Sequence, residues 1–452
     1  MGRLFGTDGV RGVANRDLTY ELAAQIGQAG AYVLGREACH TPKILIGMDT
    51  RRSGPMLEAA LCAGIMSMGA DVTCAGVIPT PAVAYLTRTL GFDAGIVVSA
   101  SHNSAEFNGI KFFNSEGYKL RDEIEEEIED IILNDEPVAE RPIGADVGTV
   151  MRNETLLDRY VEFAKSTVGV DFSGMKIALD CANGASSRTA PQTFKALGAE
   201  IYVINSAPDG ININRGCGST HIEGLCEFVK NNRCDIGFAF DGDADRVLAV
   251  DSDGEVIDGD AIMAICASEM KKNGTLDKNT LVATIMSNLG LFKMGEREEI
   301  AIPRTKVGDR YVLEEMVDKG YVLGGEQSGH IIFLNYNTTG DGLVTALQLA
   351  QIVRTSGKTV QELKKVITIY PQVLKNARVA KSGDFAYVED EIITNEINRL
   401  NAKYNGQGRV VIRPSGTEPL VRVMIEGQNQ EEIASDAHTL AALIEERLGV
   451  KA

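Results

Sequence analysis

Three aspartates in alternation, Asp241-Gly242-Asp243-Ala244-Asp245, followed by Arg246, are the sharpest chemical feature of this sequence. Carboxylates this close repel one another, and a hard divalent cation relieves the repulsion. Oxygen-only donors favour Mg²⁺ or Ca²⁺ over zinc, so Asp241, Asp243 and Asp245 are the predicted metal ligands. A calcium EF-loop is excluded: Arg246 stands where that loop needs Gly, and Ser252 where it needs Glu. A second run, Ser99-Ala100-Ser101-His102-Asn103, places hydroxyls, an imidazole and an amide together. A serine nucleophile needs a base, a cation or a metal beside it. Alone, the run reads equally well as a helix N-cap. Beside the aspartates, a phosphorylated Ser101 would offer Mg²⁺ an anionic oxygen.

Two further runs have the composition of ligand loops. Gly324-Gly325-Glu326-Gln327-Ser328-Gly329-His330 lets the backbone approach a ligand and offers donors and acceptors for sugar hydroxyls or an amine. Arg413-Pro414-Ser415-Gly416-Thr417-Glu418 carries a guanidinium, hydroxyls and backbone amides suited to a phosphate dianion, and Arg422 adds a second cation. Arg11, Lys111, Arg246, Arg304, Arg310, Arg413 and Arg422 are all expected in or beside glycine-rich loops rather than on helix faces. An acidic protein that binds a phosphorylated substrate must gather its cations in this way. His40, His221 and His438 read as ordinary surface or capping residues. No Walker loop, dinucleotide fingerprint or H-E-x-x-H motif is present.

Each loop follows an apolar run, as expected at the carboxyl ends of buried strands. Asp241 follows Ile236-Gly237-Phe238-Ala239-Phe240, Ser99 follows Gly95-Ile96-Val97-Val98, and Gly324 follows Tyr321-Val322-Leu323. Three stretches, beginning at Lys43, Lys176 and Thr280, repeat an order of apolar strand, polar break and helical period. Continuous apolar strands alternating with helices predict sheets covered on both faces, hence three related α/β domains. The tail reads strand, helix (about 385–403), strand (408–413), strand (420–426) and helix (430–448), a small α+β domain. The predicted domains are 1–147, 148–250, 251–370 and 371–452. Asp253-Gly254 predicts a tight hairpin turn between apolar flanks.

The chain has 452 residues, 44% hydrophobic and 24% charged, with a net charge of −18. That charge argues against nucleic acid or an anionic membrane as partner. Ten acids against one Arg in residues 121–140 fit a solvated helix face. The N-terminus lacks an apolar signal region, and the eight cysteines form no C-x-x-C pair, so a cytoplasmic protein with reduced thiols is expected.

Together with Phe5-Gly6-Thr7-Asp8-Gly9-Val10-Arg11-Gly12, these loops resemble the α-D-phosphohexomutase superfamily over nearly the whole chain. The resemblance implies three α/β domains with mixed sheets and a C-terminal α+β domain of the TATA-binding-protein-like type, around a central cleft. Ser101 would be the phosphoserine, sharing Mg²⁺ with Asp241, Asp243 and Asp245. Glu326 and Ser328, with Gln327 and His330 beside them, would read the sugar. Arg413, Ser415, Gly416 and Thr417, with Arg422, would grip the non-reacting phosphate. His102, Lys111, Arg246 and Arg11 would serve the transfer.

Gln327 is similar to the branch acting on glucosamine phosphates; the phosphomannomutase/phosphoglucomutase branch usually carries Met there. The implied reaction interconverts glucosamine 6-phosphate and 1-phosphate through a 1,6-bisphosphate, supplying UDP-N-acetylglucosamine and cell-wall precursors. Glucosamine or glucose 1,6-bisphosphate would be the activator, and a homodimer is compatible with the resemblance. Ser104 replaces the family's usual Pro, which predicts a looser phosphoserine turn. The alternatives are a general hexose-phosphate mutase, an aspartyl-phosphate phosphatase with Asp241 as nucleophile, and a non-catalytic sugar-phosphate-binding regulator.

Overall fold

Uninterrupted apolar runs become strands because β-branched and aromatic side chains suit a pleated surface that helices then cover on both faces. A computed structural model describes residues 4–6, 8–36, 38–134, 141–380, 386–415 and 419–449, and these form four sheets. The first has seven strands, the second five, the third four and the last three.

The three α/β sheets share one unit. In each, the repeat strand (Lys43–Met48, Lys176–Asp180 or Leu281–Thr284) runs parallel to a partner strand whose end carries a ligand loop. Those partners are Ala94–Val98, Ile236–Phe240 and Leu323–Gly325. Each then turns back into an antiparallel neighbour: Phe107–Asn114, Val247–Asp251 or Ile331–Phe333. The serine, aspartate and glutamate loops therefore occupy the same place in three copies of one architecture. Every residue of Ala94–Val98, Ile236–Phe240 and Leu323–Gly325 is buried, so the loops spring from immobile bases.

Leu45, Val97 and Phe113 of the first sheet, Leu179 and Phe238 of the second, and Leu281 and Leu323 of the third belong to one continuous apolar core. A second layer, including Ile26, Leu61 and Ile96, covers the other face of the first sheet. The last sheet is antiparallel, with Leu420–Glu426 between Gln372–Arg378 and Arg409–Pro414. It has its own core, around Ile393, Leu400, Val423 and Leu440.

Several expectations need correction. Strand Val150–Arg152 pairs with Asp71–Val77 in the first sheet, so a division at 147 would cut that sheet. Val247–Asp251 and Val256–Ile257 both belong to the second sheet, so a division at 250 would cut its hairpin. The turn is longer than a two-residue one. Asp251 N–H donates to the Glu255 carbonyl, Gly254 N–H donates back to Asp251, and Gly254 takes the left-handed φ of +86°. The tail helix is split into Ala386–Glu389 and Glu391–Tyr404, with Asp390 capping the second piece. Arg310 lies on helix Asp309–Lys319, not in a loop, where it binds Glu125, Asp122 and the Leu120 carbonyl.

Candidate active site

Ser101 does not cap a helix. It sits in a turn between Ala94–Val98 and Phe107–Asn114, with φ +50° and only 1% exposure. Its Oγ donates to Asp241 Oδ2 at 2.6 Å, and its N–H donates to Ser99 Oγ at 2.9 Å. Gly242 makes this approach sterically feasible: a Cβ there would lie 2.5 Å from the Ser101 carbonyl oxygen.

Each carboxylate of the triad is tethered. Asp241 Oδ1 accepts from the Arg246 N–H at 3.2 Å. Asp243 Oδ2 accepts from Thr80 Oγ1 at 2.7 Å and Lys111 Nζ at 3.0 Å. Asp245 Oδ2 lies 3.6 Å from His330 Nδ1 and 3.9 Å from Lys111 Nζ. Asp243 Oδ1 and Asp245 Oδ1 are buried and accept no hydrogen bond among the described residues. The three residues present oxygens that all lie within 4.8 Å of one another. Orphaned carboxylate oxygens converging in a dry site fit Mg²⁺.

The electrostatics agree. Burial, then Asp245 and Asp243, push Asp241 well above the usual carboxylate range, which is the repulsion a cation relieves. Burial raises Asp245 too, but His330, Lys111 and Arg246 outweigh it and hold it low. Burial would discharge Lys111, yet Asp243, Asp8 and Asp245 overcome it and keep the ammonium protonated. Arg246 behaves likewise, opposed by burial and held charged by Asp245 and Asp241. His102 is different: burial, then Arg246 and Arg11, push it down to about 4, so it is neutral near pH 7. Its Nδ1 stands 3.4 Å from Ser101 Oγ.

The other two loops face this centre. Glu326 Oε1 accepts from the Gly308 N–H at 3.1 Å, and its charge is felt by both Arg246 and Arg413. Ser328 is exposed beside it, with Oγ 3.5 Å from Glu326 Oε2. Gln327 Nε2 donates to Asp258 Oδ2 at 3.2 Å. His330, expected at the sugar, is 2% exposed and stands beside Asp245, its Nδ1 3.6 Å from Oδ2.

In the last sheet Arg413 and Arg422 are directly opposed across the strand pair. Arg413 Nε is buried and has no acceptor among the described residues, and burial, then Arg422, hold the guanidinium below its usual range. Two facing guanidiniums call for a shared anion. Ser415 N–H donates to Leu420 across the turn; Gly416 and Thr417 lie outside the described residues.

Known proteins match this arrangement domain by domain. Residues 2–139, 158–254 and 258–370 match the phosphoglucomutase/phosphomannomutase alpha/beta/alpha domains I, II and III, and residues 374–443 match the C-terminal domain of that family. The chain belongs to the phosphoglucomutase/phosphomannomutase family. Phosphoglucosamine mutase of Clostridium novyi (strain NT) is 60% identical over 99% of this chain and 99% of that protein. Phosphoglucosamine mutase of Acetivibrio thermocellus is also 60% identical, over 99% of this chain and 100% of its own. Among solved structures, a phosphoglucomutase/phosphomannomutase family protein from Burkholderia thailandensis superposes with a TM-score of 0.80 at 24% identity, covering 98% and 97% of the two chains. Aspergillus fumigatus N-acetylphosphoglucosamine mutase, crystallised with GlcNAc-6P and magnesium, shares the fold at a TM-score of 0.68 and 18% identity, covering 98% and 95%.

Within this family frame, the motifs left out the residues that hold the serine loop in place. Arg51, 1% exposed, donates to Asp49 Oδ2 at 2.8 Å and to the carbonyls of Ser101, Asn103 and Phe107 at 2.9, 2.8 and 3.0 Å, and also to that of Ser104. Asn214 Nδ2 binds the Ser101 and Asn103 carbonyls from the second domain, at 2.8 and 3.0 Å. The turn is thus fixed from outside, although Ser104 stands where Pro is usual. Asp49-Thr50-Arg51, directly after the first repeat strand, was the available signal: an acid and a base flanking a strand end.

Proposed function

We propose that this chain interconverts glucosamine 6-phosphate and glucosamine 1-phosphate through a phosphorylated Ser101 and a 1,6-bisphosphate intermediate. The observation that carries the reading is the Ser101 Oγ, 2.6 Å from Asp241, at the mouth of the aspartate triad. The choice of amino sugar rests on Gln327 and on the named activity of the 60%-identical relatives. Phosphorylated Ser101 transfers its phosphoryl group to O1 of glucosamine 6-phosphate; the bisphosphate turns over in the cleft, and Ser101 recovers the group from O6. His102, neutral and beside Ser101, is the side chain able to take up the proton leaving the sugar hydroxyl and return it. Lys111 and Arg246 remain cationic and stabilise charge on the transferring oxygens. Mg²⁺ held by Asp241, Asp243, Asp245 and the Ser101 phosphate supplies further neutralisation of those oxygens. Arg413, Ser415 and Arg422, with Gly416 and Thr417, grip the phosphate that is not reacting, while Glu326 and Ser328 hold the sugar. A sugar 1,6-bisphosphate restores phosphoserine that has been lost. We place the reaction in the cytoplasm, with the eight cysteines as free thiols, and the active form as a homodimer.

The test is turnover on glucosamine, glucose and mannose 6-phosphates, with Mg²⁺ and a trace of 1,6-bisphosphate, beside Ser101→Ala. The expected result is the highest kcat/KM for glucosamine 6-phosphate and a loss of ~10⁴-fold or more in the variant. Equal or better use of mannose or glucose phosphate moves the chain to the general hexose branch. A covalent label that hydroxylamine removes, retained in Ser101→Ala, would instead assign Asp241 as the nucleophile.

A further inference from the structure

Lys119 and Asp309 belong to none of the ligand loops, yet they close a partly buried circuit of charge beside the aspartate triad. Lys119 Nζ lies 2.6 Å from Asp8 Oδ1 and 2.5 Å from Asp309 Oδ2. Asp8 Oδ2 is 3.0 Å from Lys111 Nζ, which reaches Asp243 at 3.0 Å and Asp245 at 3.9 Å. His330 completes the ring, with Nδ1 3.6 Å from Asp245 Oδ2 and Nε2 3.5 Å from Asp309 Oδ2. Gly340 N–H donates to the same Nε2 at 3.1 Å, so Nε2 is the accepting nitrogen, the Nδ1 edge faces Asp245, and Asp309 acts on the imidazole through its charge alone. Asp8, Lys111 and Lys119 come from the first domain, Asp243 and Asp245 from the second, and Asp309 and His330 from the third.

We propose that Lys119 and Asp309 are positioning residues for the metal-binding carboxylates, acting through Lys111 and His330. The members of the ring hold one another, with Asp8 also bound by Arg11, so removing one shifts the pull of its neighbours toward the partners that remain. Lys111 is shared between Asp8 and the triad. Without Lys119, Asp8 is left to Arg11 and Lys111 and draws Lys111 harder, away from Asp243. Without the Asp309 charge, the imidazole loses the group standing at its Nε2 edge. Both changes disturb the Oδ2 atoms whose engagement leaves Asp243 Oδ1 and Asp245 Oδ1 turned to the cation. The ring also reaches the sugar loop: Asp309 follows Gly308, whose N–H holds Glu326. Seating of the sugar loop and alignment of the triad are therefore mechanically connected.

The experiment compares Lys119→Met, Lys119→Arg and Asp309→Asn with the parent in the full chain. Mg²⁺ binding is titrated calorimetrically, and kcat and KM are measured separately. Outer residues of this kind are worth ~10–100-fold in metal affinity or activity. Lys119→Met and Asp309→Asn should weaken Mg²⁺ and lower kcat by such factors with KM for the sugar phosphate near the parent value. Lys119→Arg, which keeps the charge, should recover most of both. Lys403→Met, which breaks a 2.6 Å ion pair to Asp436 in the last domain, is the control; it should lower Tm without moving Mg²⁺ affinity. Folded Lys119→Met or Asp309→Asn protein with parental Mg²⁺ affinity overturns the proposal, whatever its Tm. If Lys119→Met does not fold, the near-isosteric Asp309→Asn decides alone. The kcat arm rests on the function proposed above, but the calorimetric arm does not. A parent that binds Mg²⁺ yet turns over no hexosamine phosphate counts against that function, while a fall in Mg²⁺ affinity in the variants would still support the ring.

Discussion

The serine–aspartate centre and the Arg413–Arg422 strand pair both handle phosphate, and they are built on opposite plans. Around Ser101 the loop and one edge of the triad are tied down: Arg51 and Asn214 hold the loop carbonyls, Thr80 and Lys111 hold Asp243, and three sheets share one apolar core beneath. The last domain has a separate core, and Arg413 and Arg422 stand opposite each other across its strand pair. Its described seam with the third domain centres on Arg409, which binds Glu426 and the carbonyls of Ile285 and Ser287, and on the Leu289 N–H, which donates to Glu426. The difference matches two tasks. A transferring phosphoryl group demands fixed geometry, because small misplacements cost large factors in rate. A phosphate that must be held in either of two substrate orientations calls for a grip on a domain able to adjust.

Arg51→Met is the sharpest way to break the comparison. It leaves the buried Asp49 unpaired and several carbonyls without their donor. Truncating one partner of a buried ion pair costs ~3–5 kcal/mol, and a loosened Ser101 turn adds ~100-fold in kcat. Thermal melting and single-turnover kinetics check both. A folded variant with parental kcat would show that the serine turn needs no rigid support.

Arg413→Lys tests the other side. It keeps the positive charge and removes the planar fork, so KM for the sugar phosphate should rise ~10-fold with kcat largely spared, and Tm should hardly move because the charge facing Arg422 is unchanged. A fall in kcat as deep as that of Arg51→Met would mean the two regions are equally rigid.

Much of this division was legible in the residues. Asp241, Asp243, Asp245 and Ser101 announce themselves because metal chelation and nucleophilic transfer need particular atoms at short spacing, on loops after apolar runs. Strand 420–426 and helix 430–448 were readable to the residue because alternation and a strong Asn429 cap mark them. Asn214, Lys119 and Asp309 were not legible, and Arg51 only as a base beside Asp49 after a strand, since each acts on a partner dozens to well over a hundred residues away and only the fold brings them together. His330 was hard to place for the same reason. Its place in the glycine loop suggested the cleft, whereas the hairpin Leu323–Gly325 with Ile331–Phe333 turns it inward against Asp245. The short edge strand Val150–Arg152 escaped because three residues, of which only Val150 and Met151 are apolar, are too few to show a strand period.

The smallest expected effect probes the seam that lets the last domain differ. Asp260 is buried beside that seam, accepting from the Asn288 N–H at 2.6 Å, and burial, then Asp258, push its carboxyl up to about 8. A folded pKa above the unfolded value of ~3.9 means that the stability the protonated form contributes is fully present below ~pH 4 and is lost as pH rises through about 8. Asp260→Asn keeps an acceptor for Asn288 and removes the titration. Its Tm should match the parent near pH 4 and exceed it increasingly up to about pH 8, with a constant excess beyond. Parallel Tm–pH curves for the two proteins would show that the carboxyl is already ionised in the fold. Asp260 would then be tying the last domain down as firmly as Asp49 ties the serine loop, and the contrast between the two regions would lose its physical basis at the seam.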